Sequence, residues 1–402
     1  MKRSVAIVLI VLLFAACANR SSEPWQGYGG DGTRSLVARE RGPVRGRLKW
    51  VLDLQGTLPG MPVTDGKGDI YVPHSGGSVT KVSPQGRQLW RFDSWLSQKD
   101  APPPWLLVQP RNHILLSILH QQETFRLTSQ GEVVAGTPWL PWPSFRNPAQ
   151  NQSGYTVVTH KYVTGANSVG VKLYGITTSG NPLWEIDFST PGIVWSASIA
   201  AVKADGTAYV FMAPIGGNHN SLLALDGRGE LLWQLDFKAK DTTGVDLALA
   251  VGPEGNIYLG STRQEDLGAL HSPGWLFAVS PQGKLLWRYE AGQKVAQIMA
   301  AHKRVTINVL RTKLVNLSTQ GKKLWEFTLE GWESTAVMDS RGQVYMVGIK
   351  EGTVWFRAIT PRGREAWTFD SQQPATSVGY LIIANGHLLV TTDQGLLLAI
   401  GD

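Results

Sequence analysis

The stretch from Met61 to Phe92 decides the fold and reads MPVTDGKGDIYVPHSGGSVTKVSPQGRQLWRF. Its short apolar segments alternate with turns that are rich in glycine, a pattern typical of antiparallel strands. Four strands are predicted, at Pro62–Asp65, Ile70–Val72, Ser78–Val82 and Gln88–Phe92. Four antiparallel strands of this length make one blade of a β-propeller.

The end of this stretch, a glycine followed four residues later by tryptophan, recurs along the chain. Successive glycines lie 38 to 54 residues apart, a period typical of propeller blades. We expect the glycine to serve a turn that needs positive φ and the ring to cover the cleft between blades. The pairs are Gly46/Trp50, Gly86/Trp90, Gly180/Trp184, Gly229/Trp233, Gly283/Trp287, Gly321/Trp325 and Gly363/Trp367, and a degenerate copy has Gly131 with Ala135.

The repeats predict an all-β fold, an eight-bladed β-propeller of four-stranded antiparallel blades. The final copy ends at Leu396–Ile400 without a fourth strand, whereas an orphan strand, Leu48–Leu52, precedes the first copy. Pairing these two would close the ring and remove an exposed edge. A seven-bladed ring is the alternative because the second and third copies are degenerate. The inner strands of the eight predicted blades lie near residues 61–82, 106–127, 155–176, 197–225, 247–279, 296–317, 335–359 and 378–400.

The N-terminus predicts export. Lys2 and Arg3 precede an apolar run from Val5 to Ala16, which is too short to span a bilayer. Cys17 follows this run in a sequence that resembles a bacterial lipobox, so we expect Cys17 to be lipidated; an ordinary signal peptide cut near Ala16 is the alternative. Because Cys17 is the only cysteine, no intramolecular disulfide can form. The predicted organisation is a signal peptide (1–16), a lipidated linker and lead-in segment (17–45) and the propeller (46–402).

Charge argues against a nucleic-acid partner. The chain has 38 basic and 31 acidic residues, and removal of Lys2 and Arg3 leaves a net charge of +5. This is a mildly basic protein without a block of like charge. We therefore expect no nucleic acid among its partners.

The repeat, an apolar strand, then Ser/Thr/Asp-x-x-Gly, then Leu-Trp, resembles the pyrroloquinoline-quinone-type propeller repeat over residues 46–402. The segment from Trp25 to Ser35 also resembles the opening of such chains. Two families share the repeat: the quinoprotein dehydrogenases, and the non-enzymatic BamB-like lipoproteins of the outer-membrane β-barrel assembly machine. The second resemblance implies a periplasm-facing lipoprotein scaffold. Ala18, where an aspartate would signal inner-membrane retention, favours the outer membrane in a Gram-negative host.

The dehydrogenase alternative implies quinone, calcium and often adjacent cysteines. Calcium needs six to eight oxygen ligands on one site, whereas the aspartates here fall in repeat turns or just after the tryptophans. The eight histidines are scattered without metal-ligand spacing. We expect no catalytic residue, no metal and no cofactor.

The candidate binding residues lie where long loops are predicted. In a four-stranded blade, the loop entering the first strand and the loop joining strands two and three lie on one face, and the long insertions fall there. Tryptophans outside the repeat position also concentrate in these loops, and such rings are enriched in protein interfaces. Each ring could instead fill a hydrophobic gap at a blade end or stack on a glycan. The partner-binding candidates are Trp95, Trp105, Trp142, Trp195, Trp275 and Asp246.

In the BamB-like family, loops entering the fourth and fifth blades contact the barrel-forming partner. Asp246 matches an aspartate of the second loop, whereas Ile193 occupies the position of an arginine of the first.

Overall fold

The computed structural model describes residues 24–55, 59–94, 102–118, 123–134, 146–165, 168–190, 193–215, 219–238, 248–262 and 273–402. Within these residues the chain is all-β, with 31 strands and two single-turn 3₁₀ segments at Ser75–Gly77 and Pro110–Asn112. This part of the chain contains no helix that is long and apolar enough to cross a membrane.

The strands form blades in chain order, each running from the innermost strand outward. Blade 1 contains β2 (Val63–Thr64), β3 (Ile70–His74), β4 (Ser78–Val82) and β5 (Gln88–Phe92). Blade 2 contains β6 (Trp105–Gln109), β7 (His113–Ile118) and β8 (Glu123–Leu127). Blade 3 contains β9 (Arg146–Gln150), β10 (Thr156–Gly165), β11 (Ser168–Ile176) and β12 (Pro182–Phe188). Blade 4 contains β13 (Val194–Val202), β14 (Ala208–Ile215), β15 (His219–Leu225) and β16 (Leu231–Lys238).

The second half of the ring repeats this order. Blade 5 contains β17 (Ala248–Val251), β18 (Ile257–Thr262), β19 (Gly274–Val279) and β20 (Leu285–Glu290). Blade 6 contains β21 (Val295–Ala301), β22 (Arg304–Val309), β23 (Lys313–Ser318) and β24 (Lys323–Thr328). Blade 7 contains β25 (Glu333–Met338), β26 (Val344–Lys350), β27 (Thr353–Ile359) and β28 (Glu365–Pro374). Blade 8 contains β29 (Val378–Ala384), β30 (His387–Thr392), β31 (Leu396–Gly401) and β1 (Arg47–Asp53).

The described residues thus form eight blades, as predicted. Blades 1, 5, 6, 7 and 8 are separate four-stranded sheets, and blade 2 shows three strands in its described part. Blades 3 and 4 share one eight-stranded sheet because Val169 and Val194 form a parallel bridge between β11 and β13.

The N-terminal strand closes the ring as predicted. β1 pairs antiparallel with β31, with Arg47 opposite Gly401 and Asp53 opposite Leu396. The first strand of the propeller is therefore the outermost strand of its last blade, and neither strand keeps an open edge at this junction.

The glycine and tryptophan of the repeat connect neighbouring blades. Gly321 has φ of 81°, and a Cβ there would lie 2.8 Å from Cδ2 of Trp287, on the preceding blade. The Trp287 Nε1 donates to the Thr319 carbonyl in the same turn, at 2.8 Å. The same pairing recurs around the ring, so each ring covers an inter-blade cleft, as predicted. The equivalent glycine–ring contacts are Gly86 with Trp50, Gly131 with Trp90, Gly229 with Trp184, Gly283 with Trp233, Gly363 with Trp325 and Gly46 with Trp367.

Two predicted boundaries are wrong. The innermost strand of blade 3 is Arg146–Gln150, whereas the inner strands of this blade were predicted to begin near residue 155. Blade 4 begins at Val194, so Trp195 lies in β13 and not in the loop before it. At both positions apolar and polar residues do not alternate clearly. The pattern therefore did not indicate where the loop ends and the strand begins.

The lead-in segment, residues 24–46, forms an inner ring that the sequence did not predict. Its backbone carbonyls accept hydrogen bonds from N–H groups at the ends of innermost strands, which leaves these strand ends without unpaired donors. The Glu40 carboxylate accepts from Asn385 N and Gly386 N in blade 8, at 3.1 and 2.9 Å. The carbonyl contacts are Trp25 with Thr64 N, Gln26 with Val108 N, Gly32 with Val202 N, Thr33 with Val251 N, Ser35 with Ala300 N and Leu36 with Met338 N, at 2.7 to 3.0 Å.

Candidate binding surface

The two ends of the propeller differ. The end that carries the first-to-second and third-to-fourth strand turns is called the short-turn face, and the lead-in segment lies against it because its partners end the innermost strands. The opposite end, where the chain enters each blade and joins strands two and three, is called the long-loop face.

Three of the predicted binding residues lie within the described residues, and all three belong to strands. Trp105 begins β6, Trp195 is the second residue of β13 and Trp275 is the second residue of β19. Trp275 is 6% exposed and belongs to the same buried cluster as Phe237 and Phe277, so its ring fills a gap between strands. Cys17, Trp95, Trp142 and Asp246 lie outside the described residues.

Trp105 and Trp195 are half-buried. The Trp195 ring lies 6.2 Å from that of Phe188, between blades 4 and 3. The Trp105 ring meets that of Tyr28 edge-on, with centroids 6.5 Å apart. Binding of a partner by these rings stays a prediction.

The Tyr28 side chain contacts two aromatic rings and one cation. Its ring also meets Tyr380 edge-on, at 5.7 Å, and the Arg34 guanidinium lies 5.2 Å from the Tyr28 centroid. Arg34 is buried and its Nη2 donates to the Pro148 carbonyl at 3.1 Å. Burial lowers the pKa of Arg34 to about 10, because desolvation disfavours the charged form. At neutral pH the guanidinium remains charged and ties the lead-in segment to blade 3.

The described part of the long-loop face carries a polar and aromatic cluster on blade 7, here called the blade-7 patch: Glu330, Trp332, Glu333, Lys350, Trp355 and Arg357. The two tryptophan rings are half-buried, with centroids 6.3 Å apart. The Arg357 guanidinium lies 4.9 Å from the Trp332 centroid, and Lys350 Nζ lies 5.0 Å from the Trp355 centroid. Both cations are therefore within the range of cation–π attraction, which fixes the two rings.

Carboxylates hold Arg357 in place beneath the rings. Its Nη1 donates to Glu333, its Nη2 to Glu330, and its Nε lies 3.1 Å from the Glu365 carboxylate. Glu333 is fully buried, and its second oxygen accepts from the N–H groups of Glu330 and Gly331, both at 3.1 Å. These bonds order the loop that enters blade 7.

The two glutamates of the patch have opposite pKa shifts. The hydrogen bond from Arg357 lowers the pKa of Glu330 to about 2, with help from Lys350. Desolvation raises the pKa of Glu333, because burial disfavours its carboxylate. Glu330, with its side chain half exposed, therefore keeps a negative charge beside the rings at neutral pH.

The blade-7 patch was not predicted from the sequence. Trp332 and Trp355 also lie outside the repeat position, but Trp332 lies in a short connection and Trp355 inside a strand. Neither lies in a long insertion, where the binding residues were predicted. Their position outside the Gly–Trp pairs is the sequence signal that marks them.

Metal ligands are not brought together in the part of the chain that the structure describes, where no group of three His, Cys, Asp or Glu side chains could hold an ion. The aspartates of the repeat act in turns, as expected. Asp226 Oδ1, for example, accepts from Arg228 N and Glu230 N at 2.8 and 2.9 Å.

Comparisons with known proteins define the class. Residues 272–400 match the family model described as outer membrane protein assembly factor BamB. The solved structure of BamB from Moraxella catarrhalis aligns with a TM-score of 0.56 and 12% identity over 89% of this chain and 100% of that chain. The chain is thus a β-propeller with pyrroloquinoline-quinone-type repeats, and it resembles BamB.

Other propellers also align over most of the chain. The computationally designed Ika8 protein gives a TM-score of 0.60 at 12% identity, over 90% of this chain and 99% of that chain. A europium-containing methanol dehydrogenase gives 0.51 at 10% identity, over 85% and 90%. No curated protein sequence matches the chain. At these identities the likeness concerns the fold, which serves enzymes and non-enzymes alike.

Proposed function

We propose that this protein is a non-catalytic, lipid-anchored scaffold that binds a partner protein through its long-loop face, on the periplasmic side of the outer membrane. The BamB-like propeller supports a scaffold role, and we extend it to assembly of outer-membrane β-barrels. Cys17, at the end of a short export signal, supplies the anchor.

The blade-7 patch is the observation that carries the proposal. Two tryptophans, the residue type most enriched in binding hot spots, lie side by side at the surface and are fixed by cations. A buried arginine–glutamate pair orders the loop beneath them before any partner arrives. Preorganisation of this kind reduces the entropy lost on binding.

The decisive experiment compares two double variants of the lipidated protein. Trp332→Ala with Trp355→Ala removes both rings, and we expect capture of the barrel-forming assembly component from solubilised membranes to fall at least about thirtyfold, since a central aromatic anchor contributes about 2 kcal/mol or more. Leu183→Ala with Leu232→Ala removes two exposed leucines of the outer rim and is the matched control. Quantitative mass spectrometry measures capture.

Three outcomes separate the parts of the proposal. Unchanged capture by the tryptophan variant, with folding verified by its melting curve, would exclude the patch. Recovery of another protein but no barrel-assembly component would keep the scaffold and remove the BamB-like role. Unchanged partner capture by an Asp246→Ala variant would remove that role as well. Dye reduction that depends on added quinone would replace the scaffold with the dehydrogenase alternative.

The anchor has its own test. Multiple acyl chains hold a protein stably on a membrane because each buried CH₂ contributes about 0.8 kcal/mol. We expect Cys17→Ser to move the protein from the membrane fraction to the soluble periplasm. A soluble wild-type protein that carries no lipid by mass spectrometry would contradict this.

A further inference from the structure

Basic side chains lie along the part of the lead-in segment that runs from the innermost strands to β1, the outermost strand of blade 8. Residues 41–46 pass over blade 7, where Gly42 N donates to Asp339 and the Pro43 carbonyl accepts from Tyr345. Arg41, Arg45 and Arg47 are exposed along this path. Val44 between them is 60% exposed, although it is apolar.

The neighbouring turns of the short-turn face continue the same composition. The third-to-fourth strand turns of blades 5, 6 and 7 expose Lys284, Lys322, Arg362 and Arg364. No ion pair within the described residues involves any of these four or the three arginines of the lead-in path. The acidic groups beside them already have partners. Glu365 binds Arg357 and Glu326 binds Lys323, both at 3.1 Å, and Asp402 accepts from Val44 N and Arg45 N at 2.7 and 2.8 Å.

These turns are adjacent in space. Gly321 in the blade-6 turn packs on Trp287 of blade 5, and Gly363 in the blade-7 turn packs on Trp325 of blade 6. Gly46 of the lead-in segment packs in turn on Trp367 of blade 7. Together they form one continuous arc, here called the basic arc: residues 41–47, 284–286, 322–324 and 362–364.

Exposed leucines accompany the cations. Leu285 and Leu286 follow Lys284, and Leu324 follows Lys322 and Lys323, with each leucine more than 40% exposed. Apolar side chains interleaved with cations suit the interface of a bilayer, where the cations meet headgroups and the leucines enter the acyl boundary.

The lead-in segment also leaves the propeller on this face. At its start, the Trp25 carbonyl accepts a hydrogen bond from Thr64 N, and Trp25 N donates to Thr64 Oγ1 at 2.8 Å. The seven peptide units from Cys17 to Pro24 span at most about 25 Å. A lipid on Cys17 would therefore hold a bilayer near the short-turn face and leave the long-loop face pointing away from it.

We propose that the basic arc is a docking surface for a bilayer that contains anionic lipid, and that it orients the propeller with its long-loop face toward partners. The orientation rests on the lipid anchor proposed above. The affinity of the arc for an anionic surface does not, because it needs only side chains of the folded propeller.

Vesicle binding by the unlipidated chain tests the arc itself. A chain beginning at Ala18 keeps every described residue. We expect it to float with vesicles of phosphatidylglycerol and phosphatidylethanolamine but not with phosphatidylcholine alone, and to be released at high salt because the attraction is screened. Lys284→Glu, Lys322→Glu and Arg362→Glu together should weaken binding about a hundredfold, given the contribution of each cation near an anionic surface.

The matched control reverses two exposed cations of the long-loop face, Lys238→Glu with Arg311→Glu, and should bind as tightly as wild type. Equal loss in the control, or equal binding to neutral vesicles, would overturn the proposal. So would vesicle binding that survives the triple variant while retention on a soluble anionic polysaccharide is lost, since the arc would then serve a polymer. Failure of these tests with an intact Cys17→Ser effect would remove the arc and leave the anchored scaffold in place.

Discussion

Two features of the structure exclude a side chain at Gly321, its backbone conformation and a neighbouring ring. Its φ of 81° disfavours any side chain, and a Cβ would lie 2.8 Å from the Trp287 ring. We expect Gly321→Ala to lower the free energy of unfolding by about 2–4 kcal/mol, the sum of backbone strain and overpacking. Gly292→Ala is the matched control because its φ is 85° with nothing within 4 Å. Urea unfolding would refute the ring contact if the two variants lost equal stability.

Glu330 makes acid stability a test of the blade-7 patch. Its pKa is lowered to about 2 in the folded protein from an ordinary 4.5, so its contribution is present above pH 4.5 and is lost as the pH falls from 4.5 towards 2. Because the side chain is half exposed, we expect only about 1 kcal/mol. The stability advantage of wild type over Glu330→Gln should therefore shrink across this window. An advantage that is independent of pH would show that the Arg357 contact does not set the pKa.

The sequence predicted the repeat residues but only half of their role. A glycine in a turn and a ring over a cleft follow from the motif. That Gly321 seats the ring of Trp287, and not that of its own Trp325, depends on the neighbouring blade. The spacing within one repeat carries no record of a contact between repeats.

Among elements, the lead-in segment was predicted least well and the closing strand best. Leu48–Leu52 alternates and lacks a partner in its own copy, so its pairing with the last blade could be inferred. The lead-in ring works through backbone carbonyls, which every residue has. Glycines of the segment reflect its packing: at Gly32, for example, a Cβ would lie 2.6 Å from the carbonyl oxygens of Gln150 and Val202.

Three chains with different N-termini distinguish the contributions of the lead-in segment and of β1 to stability. A chain beginning at Pro24 should unfold like the mature protein. One beginning at Arg45 keeps β1 but loses the buried Trp25 and Arg34 and the carbonyl contacts, and we expect it to lose at least about 3 kcal/mol. One beginning at Gln55 also loses Trp50, a further ~3–5 kcal/mol, and exposes the edge of β31, so it should aggregate. Equal unfolding midpoints for the first two chains would show that the lead-in segment does not stabilise the propeller.

At the scale of the whole molecule, the proposed membrane-docking surface and the proposed partner-binding patch lie on opposite faces. Successive strands of a blade run in opposite directions, so their connections fall alternately at its two ends. A propeller therefore has two separate faces. Here the basic arc and the start of the lead-in segment share the short-turn face, whereas the blade-7 patch lies on the other. The repeats predicted both faces, but the residues that distinguish them lie in turns and at strand positions that the repeat does not specify.

This division predicts which surface of the membrane-bound protein water-soluble reagents reach. Cys17 is the only cysteine, so once its sulfur carries the lipid as a thioether an introduced thiol is the only reactive one. On intact proteoliposomes we expect Lys238→Cys, on the long-loop face, to react with a bulky maleimide as fast as in detergent. Arg362→Cys, in the basic arc, should react several times more slowly until detergent removes the bilayer, because headgroups cover it. Equal rates at both positions, with both variants still lipidated, would show that the propeller turns freely on its anchor, and reversed protection would place the long-loop face against the membrane.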